Sequence, residues 1–259
     1  MTHVKGLLLL DAAGTLLAPA EPVGAIYARH ALVHGAQARS PTTLANWFDA
    51  RFRAEFPAQP PPDYRAGDAE GNADVDRDWW RALVWRVCDG LPGLDGERFF
   101  DAVYAAFAEP ECWTLYPEVM DVLVALRSAG LKLAIVSNFD ARLQPICEGL
   151  GLTEAVDALI CSSALGVSKP SPDIFEAALR YFDMPPASAV HVGDSWMHDV
   201  NGARGAGIEA ILLDRRGQAL MPALASAEDG AMPAVTVSSL AALPALLCQA
   251  PTDESARDG

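Results

Sequence analysis

Leu7-Leu8-Leu9-Leu10-Asp11-Ala12-Ala13-Gly14-Thr15 joins four consecutive leucines to a lone carboxylate and a glycine turn. A short unbroken apolar run of this kind reads as a strand buried on both faces of a parallel sheet. An acid at the carboxyl end of such a strand stands where open α/β sheets place reactive groups. Ala12 and Ala13 bring no further acid to the turn. Asp11 is therefore a candidate nucleophile, and Ala13 limits what that nucleophile can do.

Outward from this segment, apolar runs bounded by turn residues recur at 131–137, 156–161, 189–193 and 209–213, with a weaker one at 234–237. Helical periodicities separate them at 118–129, 141–149, 173–182 and 199–206, and a last helix is expected at 240–247. Strands alternating with helices of this length predict βαβ units and a parallel sheet covered on both faces. Residues 17–113 read differently. They show no convincing strand, but amphipathic helices at about 23–35, 41–56, 75–89 and 95–108, with an exposed loop at 57–72 around Pro60-Pro61-Pro62. This predicts a core of residues 1–16 and 114–250, a helical cap of residues 17–113 over the strand ends, and a disordered tail at 251–259.

A net charge of −15 offers no basic stripe for nucleic acid. Five cysteines, odd in number and without a C-x-x-C pair, read as reduced thiols. Asp11 interrupts the apolar stretch behind Lys5 too early for a signal peptide, and no run reaches the roughly 18 apolar residues of a membrane span. The cytoplasm is the expected location.

Polar residues fall just past four of the expected strands: Asp11, then Ser137-Asn138, then Lys169-Pro170, then Gly193-Asp194 with Asp199 five residues on. Lys169 is one of only three lysines, which adds weight to its place beside a proline turn. A nucleophilic carboxylate, a hydroxyl, a cation and an acidic pair are the parts that metal-assisted phosphoryl transfer uses. Taken singly, each has a plainer reading, as a turn, a strand-end hydroxyl or a helix cap. Their order at successive strand ends is what gives them meaning.

In these four motifs the chain resembles the haloacid dehalogenase superfamily. In the segments SNFDARL (137–143) and GDSWMHDVNGARGAG (193–207) it is similar to that superfamily's rhythmically expressed, HAD-domain-containing-3-like branch. The resemblance implies a Rossmann-like, doubly wound α/β sheet with an inserted helical cap. It implies an Mg²⁺-dependent phosphatase acting on a small phosphorylated metabolite through an aspartyl-phosphate on Asp11. Ser137 and Lys169 would act in catalysis and, with Asn138, hold the phosphoryl group. Asp11, the Ala13 backbone carbonyl and Asp194 would ligate the metal, and Asp199 would ligate it or orient a coordinated water. Thr15 would support the turn. Caps of this kind often pair, so a homodimer is compatible.

Phosphatases of the superfamily carry a second Asp where this chain has Ala13, an acid–base group worth roughly 10²- to 10⁴-fold. Its loss leaves several readings open. Phosphonatase-like chemistry would use a cap lysine, and residues 17–113 contain none. Dehalogenase-like chemistry would need no Mg²⁺ and leaves the Asp194–Asp199 pair unexplained. A phosphatase restricted to good leaving groups keeps every ligand, with His30, His34 or His198 as conceivable proton sources. A weakly active or non-catalytic phosphate-binding regulator would look the same. Trp47, Trp79, Trp80 and Trp85 are candidates to line a substrate pocket, but at helical spacing they read as cap packing.

Overall fold

The computed structural model describes residues 6–37, 40–64, 68–217 and 235–248. Six parallel strands form one sheet: β1 (Leu7–Leu10), β4 (Lys132–Ser137), β5 (Ala158–Cys161), β6 (Ala189–Gly193), β7 (Glu209–Leu213) and β8 (Val235–Val237), in the spatial order β5-β4-β1-β6-β7-β8. β1 lies in register between β4 and β6, with Leu10 opposite both Ile135 and Val192. The chain order reverses across β1, so Asp11 leaves the sheet at its topological switch point.

The four leucines of β1 are fully buried because each face of the sheet has its own helical layer. Leu8 and Leu10 join Leu133, Ile135, Val190 and Val192 beneath α5 (Val119–Ser128) and α6 (Leu143–Gly149). Leu7 and Leu9 meet Ile174, Phe175 and Ala178 of α9 (Pro172–Phe182). Two one-turn helices, α7 (Leu152–Ala155) and α8 (Ser162–Leu165), flank β5, α10 (Gly202–Gly205) precedes β7, and α11 (Leu243–Leu247) follows β8.

Residues 17–113 do contain a strand, contrary to expectation. β2 (Leu17–Pro19) pairs antiparallel with β3 (Trp113–Leu115), so this ribbon starts at one expected boundary and crosses the other. Three-residue strands, one ending in proline, are too short for alternation to register. Between them lie α1 (Val23–Val33), α2 (Pro41–Glu55), α3 (Ala69–Cys88) and α4 (Gly96–Ala106), around a separate core that includes Tyr27, Phe48, Leu83, Phe99 and Phe100. α3 starts six residues earlier than the periodicity suggested. The Asp68 side chain caps it by accepting from Gly71 N at 2.9 Å, and Asn72, expected in an exposed loop, is fully buried. The segment 199–206 is also no single helix. It begins as a π-helical turn, Trp196–Asn201, and passes into α10. The tail 251–259 lies outside the described residues. Among the described residues, no helix is long and apolar enough to cross a membrane.

Candidate active site

Asp11 is held at the end of β1 by its own N–H, which donates to Val192 O at 2.9 Å. The chain then turns back on Ala12 O, which accepts from the N–H groups of Thr15, Leu16 and Leu17. Gly14 makes this turn at φ +88°, and a Cβ there would stand 2.2 Å from Asp194 Oδ2. Glycine is needed on both counts.

The neighbouring strands and the loops and turns that follow them deliver the remaining groups. Ser137, buried at the end of β4, donates through Oγ to Asp11 Oδ1 at 3.1 Å. Asn138 clamps the backbone of Lys169: its side-chain oxygen accepts from Lys169 N at 2.7 Å, and its amide donates to Lys169 O at 2.8 Å. The Lys169 ammonium, fixed in this way, donates to Asp11 Oδ1 and Asp199 Oδ1, each at 2.6 Å. Burial works against its charge, but the two carboxylates outweigh burial and hold its pKa above the ordinary lysine value.

Asp199 Oδ1 also takes a bond from His191 Nε2 at 2.9 Å, and its Oδ2 accepts from Ser195 N at 2.9 Å. Burial opposes ionisation here too. The Lys169 charge and the His191 contact prevail and hold the carboxyl below the usual range. Asp194 behaves in the opposite way. Desolvation of its carboxyl, then the like charges of Asp11 and Asp199, push its pKa up to about 7. Carboxylate oxygens of Asp11, Asp194 and Asp199 all lie within 4.8 Å of one another. Three acids against one lysine leave excess negative charge on hard oxygen donors, which fits a divalent cation such as Mg²⁺. Asp199 spends both oxygens on protein donors, whereas Asp194 shows the crowding that a cation would relieve.

All the sequence-predicted groups therefore meet at one place: Asp11, Ala13, Ser137, Asn138, Lys169, Asp194 and Asp199 line a single cavity of about 440 Å³. Its opposite wall comes from α1 to α4 and from the loop after β4. His198 reaches the rim, where its Nδ1 lies 3.3 Å from Ser195 Oγ; His30 and His34 do not line the cavity. Sequence reasoning missed His191, whose one signal was a polar side chain inside the apolar run AVHVG. It weighed Trp80 as a pocket-lining residue and favoured packing. Trp47 and Trp79 do pack on the helical core, and Trp85 is half exposed. Trp80 both packs there and lines the cavity, where its indole N–H donates to Asp140 Oδ2 at 2.9 Å. Asp140 in turn holds Arg142 in a two-point ion pair.

This is a doubly wound α/β protein with an acid cluster and a buried lysine at the switch point of its sheet. The family model of haloacid dehalogenase-like hydrolases matches residues 6–207, and the chain belongs to that hydrolase family. It is 36% identical over 211 residues to the human haloacid dehalogenase-like hydrolase domain-containing protein 3, covering 80% of this chain and 81% of that protein. It is 31% identical over 230 residues to a phosphoserine phosphatase of Thermus thermophilus, covering 81% and 88%. In fold it is similar to the L-2-haloacid dehalogenase of Xanthobacter autotrophicus (TM-score 0.64, 23% identity, 94% of this chain and 98% of that one).

Proposed function

We propose that this hydrolase is a phosphatase of restricted scope, acting on a small phosphate monoester through Asp11. The observation that carries the reading is the state of the Asp11 carboxylate. One oxygen is pinned by Ser137 and Lys169, while the group as a whole faces the cavity. Such a carboxylate is oriented to attack phosphorus in line. The P–O bond to the substrate breaks as the bond to Asp11 forms, and water then hydrolyses the aspartyl-phosphate. Ser137 and Lys169 donate to the phosphoryl oxygens, Asn138 keeps Lys169 in place, and His191 and Ser195 keep Asp199 in place. Asp11, the Ala13 carbonyl and Asp194 would hold Mg²⁺, with Asp199 orienting its water. When bound, the ion offsets the charge that otherwise repels a phosphate dianion. Residues 17–113 serve as the cap. The phosphatase relatives support the substrate class.

Ala13 lines the cavity with a methyl group where a proton donor would serve. The leaving oxygen therefore departs without help from this position, which favours weakly basic leaving groups. The same observation favours a second reading, a phosphate-binding regulator with little turnover. The three-acid cluster counts against metal-free halide displacement. Turnover of phosphate esters of graded leaving-group pKa, with and without Mg²⁺, separates these readings. A restricted phosphatase turns over acyl phosphates and activated esters only with the metal, and Asp11→Asn abolishes both activities. Phosphate binding without turnover would establish the regulator instead. Chloride release from a haloacid would establish a dehalogenase.

A further inference from the structure

The wall facing Asp11 is largely aromatic. Among the described residues, nine aromatic side chains border the cavity; Tyr27 and Phe100 are buried in the helical core, while Phe52, Phe56, Trp80, Phe107 and Phe139 keep accessible surface. Among the described residues, Arg142 is the one arginine in that lining, and its charge is committed. It is paired with Asp140 at 2.6 Å, donates to Tyr104 O at 3.2 Å, and stacks 3.9 Å over the Tyr104 ring. The Asn138 side chain is spent on the Lys169 backbone. A sugar leaving group, or one that carries a carboxylate, would bury polar atoms against ring faces with few lining groups left to bond them, which costs free energy.

From this wall, together with the methyl of Ala13, we infer that the substrate is an aryl phosphate, a monoester whose leaving portion is an uncharged aromatic ring. The inference rests on the phosphatase reading and names the substrate class of that site. The two features are separate in origin and point the same way. The ring is recognised by stacking and edge contacts with the aromatic wall. Its oxygen leaves as a phenoxide, whose conjugate acid has a pKa near 10, against about 15.7 for water, so it departs without a protein acid. In the balanced step, an Asp11 oxygen bonds to phosphorus and the aryl oxygen–phosphorus bond breaks. The phenoxide keeps the electron pair and takes its proton from solvent. Water then cleaves the acyl phosphate to inorganic phosphate and the free Asp11 carboxylate. The cavity volume lies in the range usual for sites that enclose a small ligand.

The test compares phenyl phosphate with a fluorinated alkyl phosphate of matched leaving-group pKa, with acetyl phosphate and a sugar phosphate alongside, all with Mg²⁺. Matching the leaving groups removes the chemical advantage and leaves recognition of the ring. Phenyl phosphate should exceed the matched alkyl ester in kcat/KM by ~10- to 100-fold, the scale of burying one aromatic ring. Phe56→Ala, at a half-exposed position on the cavity wall, should cut that ratio about tenfold, and Phe52→Leu should lower it independently. Equal kcat/KM for the matched pair, or a ratio that neither variant moves, overturns the aromatic assignment. Faster turnover of the sugar phosphate than of phenyl phosphate overturns it too, while the phosphatase reading stands. Failure to turn over any of these compounds, acetyl phosphate included, overturns the phosphatase reading itself.

Discussion

Lys169 has one ammonium shared by two buried carboxylates, Asp11 and Asp199. Replacing it with methionine keeps much of the volume and strands both acids without their cation. Breaking a buried ion pair from one side costs about 3–5 kcal/mol. Lys169→Met should therefore lower the urea-unfolding free energy by that order and abolish phosphatase turnover. Ala13 offers the opposite experiment. Ala13 lines the cavity two residues after Asp11, so Ala13→Asp tests whether a carboxyl at this position supplies the missing acid. Alkyl phosphate turnover should rise by roughly 10²-fold or more if the acid is the one part missing. Unchanged turnover would mean that the aromatic wall also bars alkyl substrates. Asp11, Ser137 and Asp194 could be read from the chain because each stands at a strand end, where a polar residue breaks an apolar run; Lys169, in the loop after α8, was legible as a rare lysine beside a proline turn. His191 could not, because a histidine inside a strand looks like any packed polar residue until its Asp199 partner is known.

Among the elements, α3 departs furthest from expectation. Its first turns dock on the sheet domain: Asn72 Nδ2 donates to Ser163 O at 3.0 Å, and Tyr64, whose OH donates to Asp76 Oδ1 of α3, lies 3.4 Å from Ser162 Oγ. Glycine, aspartate and proline made 57–72 look like a loop, and nothing local betrays that Asn72 is buried by a segment 91 residues away. Asp76 carries a pH signature of this docking. Burial, then the nearby Asp140 charge, raise its pKa to about 6, against the lowering effects of the Tyr64 hydrogen bond and Arg142. A carboxyl raised above its unfolded value of 3.8 favours the folded state below that value, and the contribution is lost as pH climbs through 6. Asp76→Asn keeps an acceptor for Tyr64 without the charge. Relative to wild type it should gain about 1 kcal/mol between pH 4 and pH 8, measured by denaturant unfolding at both. An identical difference at the two pH values would show that Asp76 ionises freely. The π-helical turn at Trp196–Asn201 was equally hidden. It tucks the Asp199 carboxyl under Gly193, where a Cβ would stand 2.2 Å from Asp199 Cγ.

For the whole molecule, a net charge of −15 surrounds a site that gathers three more acids than bulk solvation would choose to crowd. A divalent cation that binds this cluster only in the folded state must stabilise the fold by mass action. At 100 times its dissociation constant the gain is about 2.7 kcal/mol, or about 5–10 °C in melting temperature for a chain of this size. Mg²⁺ should produce that shift in the wild type and little of it in Asp194→Ala, with no substrate present. A shift of equal size in both would place the ion elsewhere.

The amino-acid order was enough for the sheet, its parallel strands and the line of groups along its carboxyl edge. Those follow from periodicity and from where apolar runs stop, and both are local properties of the chain. It was also enough for the deficit at Ala13, since a methyl group transfers no proton in any fold. What lay beyond it were relations between segments far apart in the chain. Among these are the β2–β3 ribbon, the burial of Asn72, the histidine behind Asp199 and the aromatic wall opposite Asp11. Helices that pattern as ordinary packing can also line a cavity, because an aromatic side chain shows the same periodicity in both roles. Which face of a ring meets a core and which meets a substrate is settled only when the insertion folds back over the sheet.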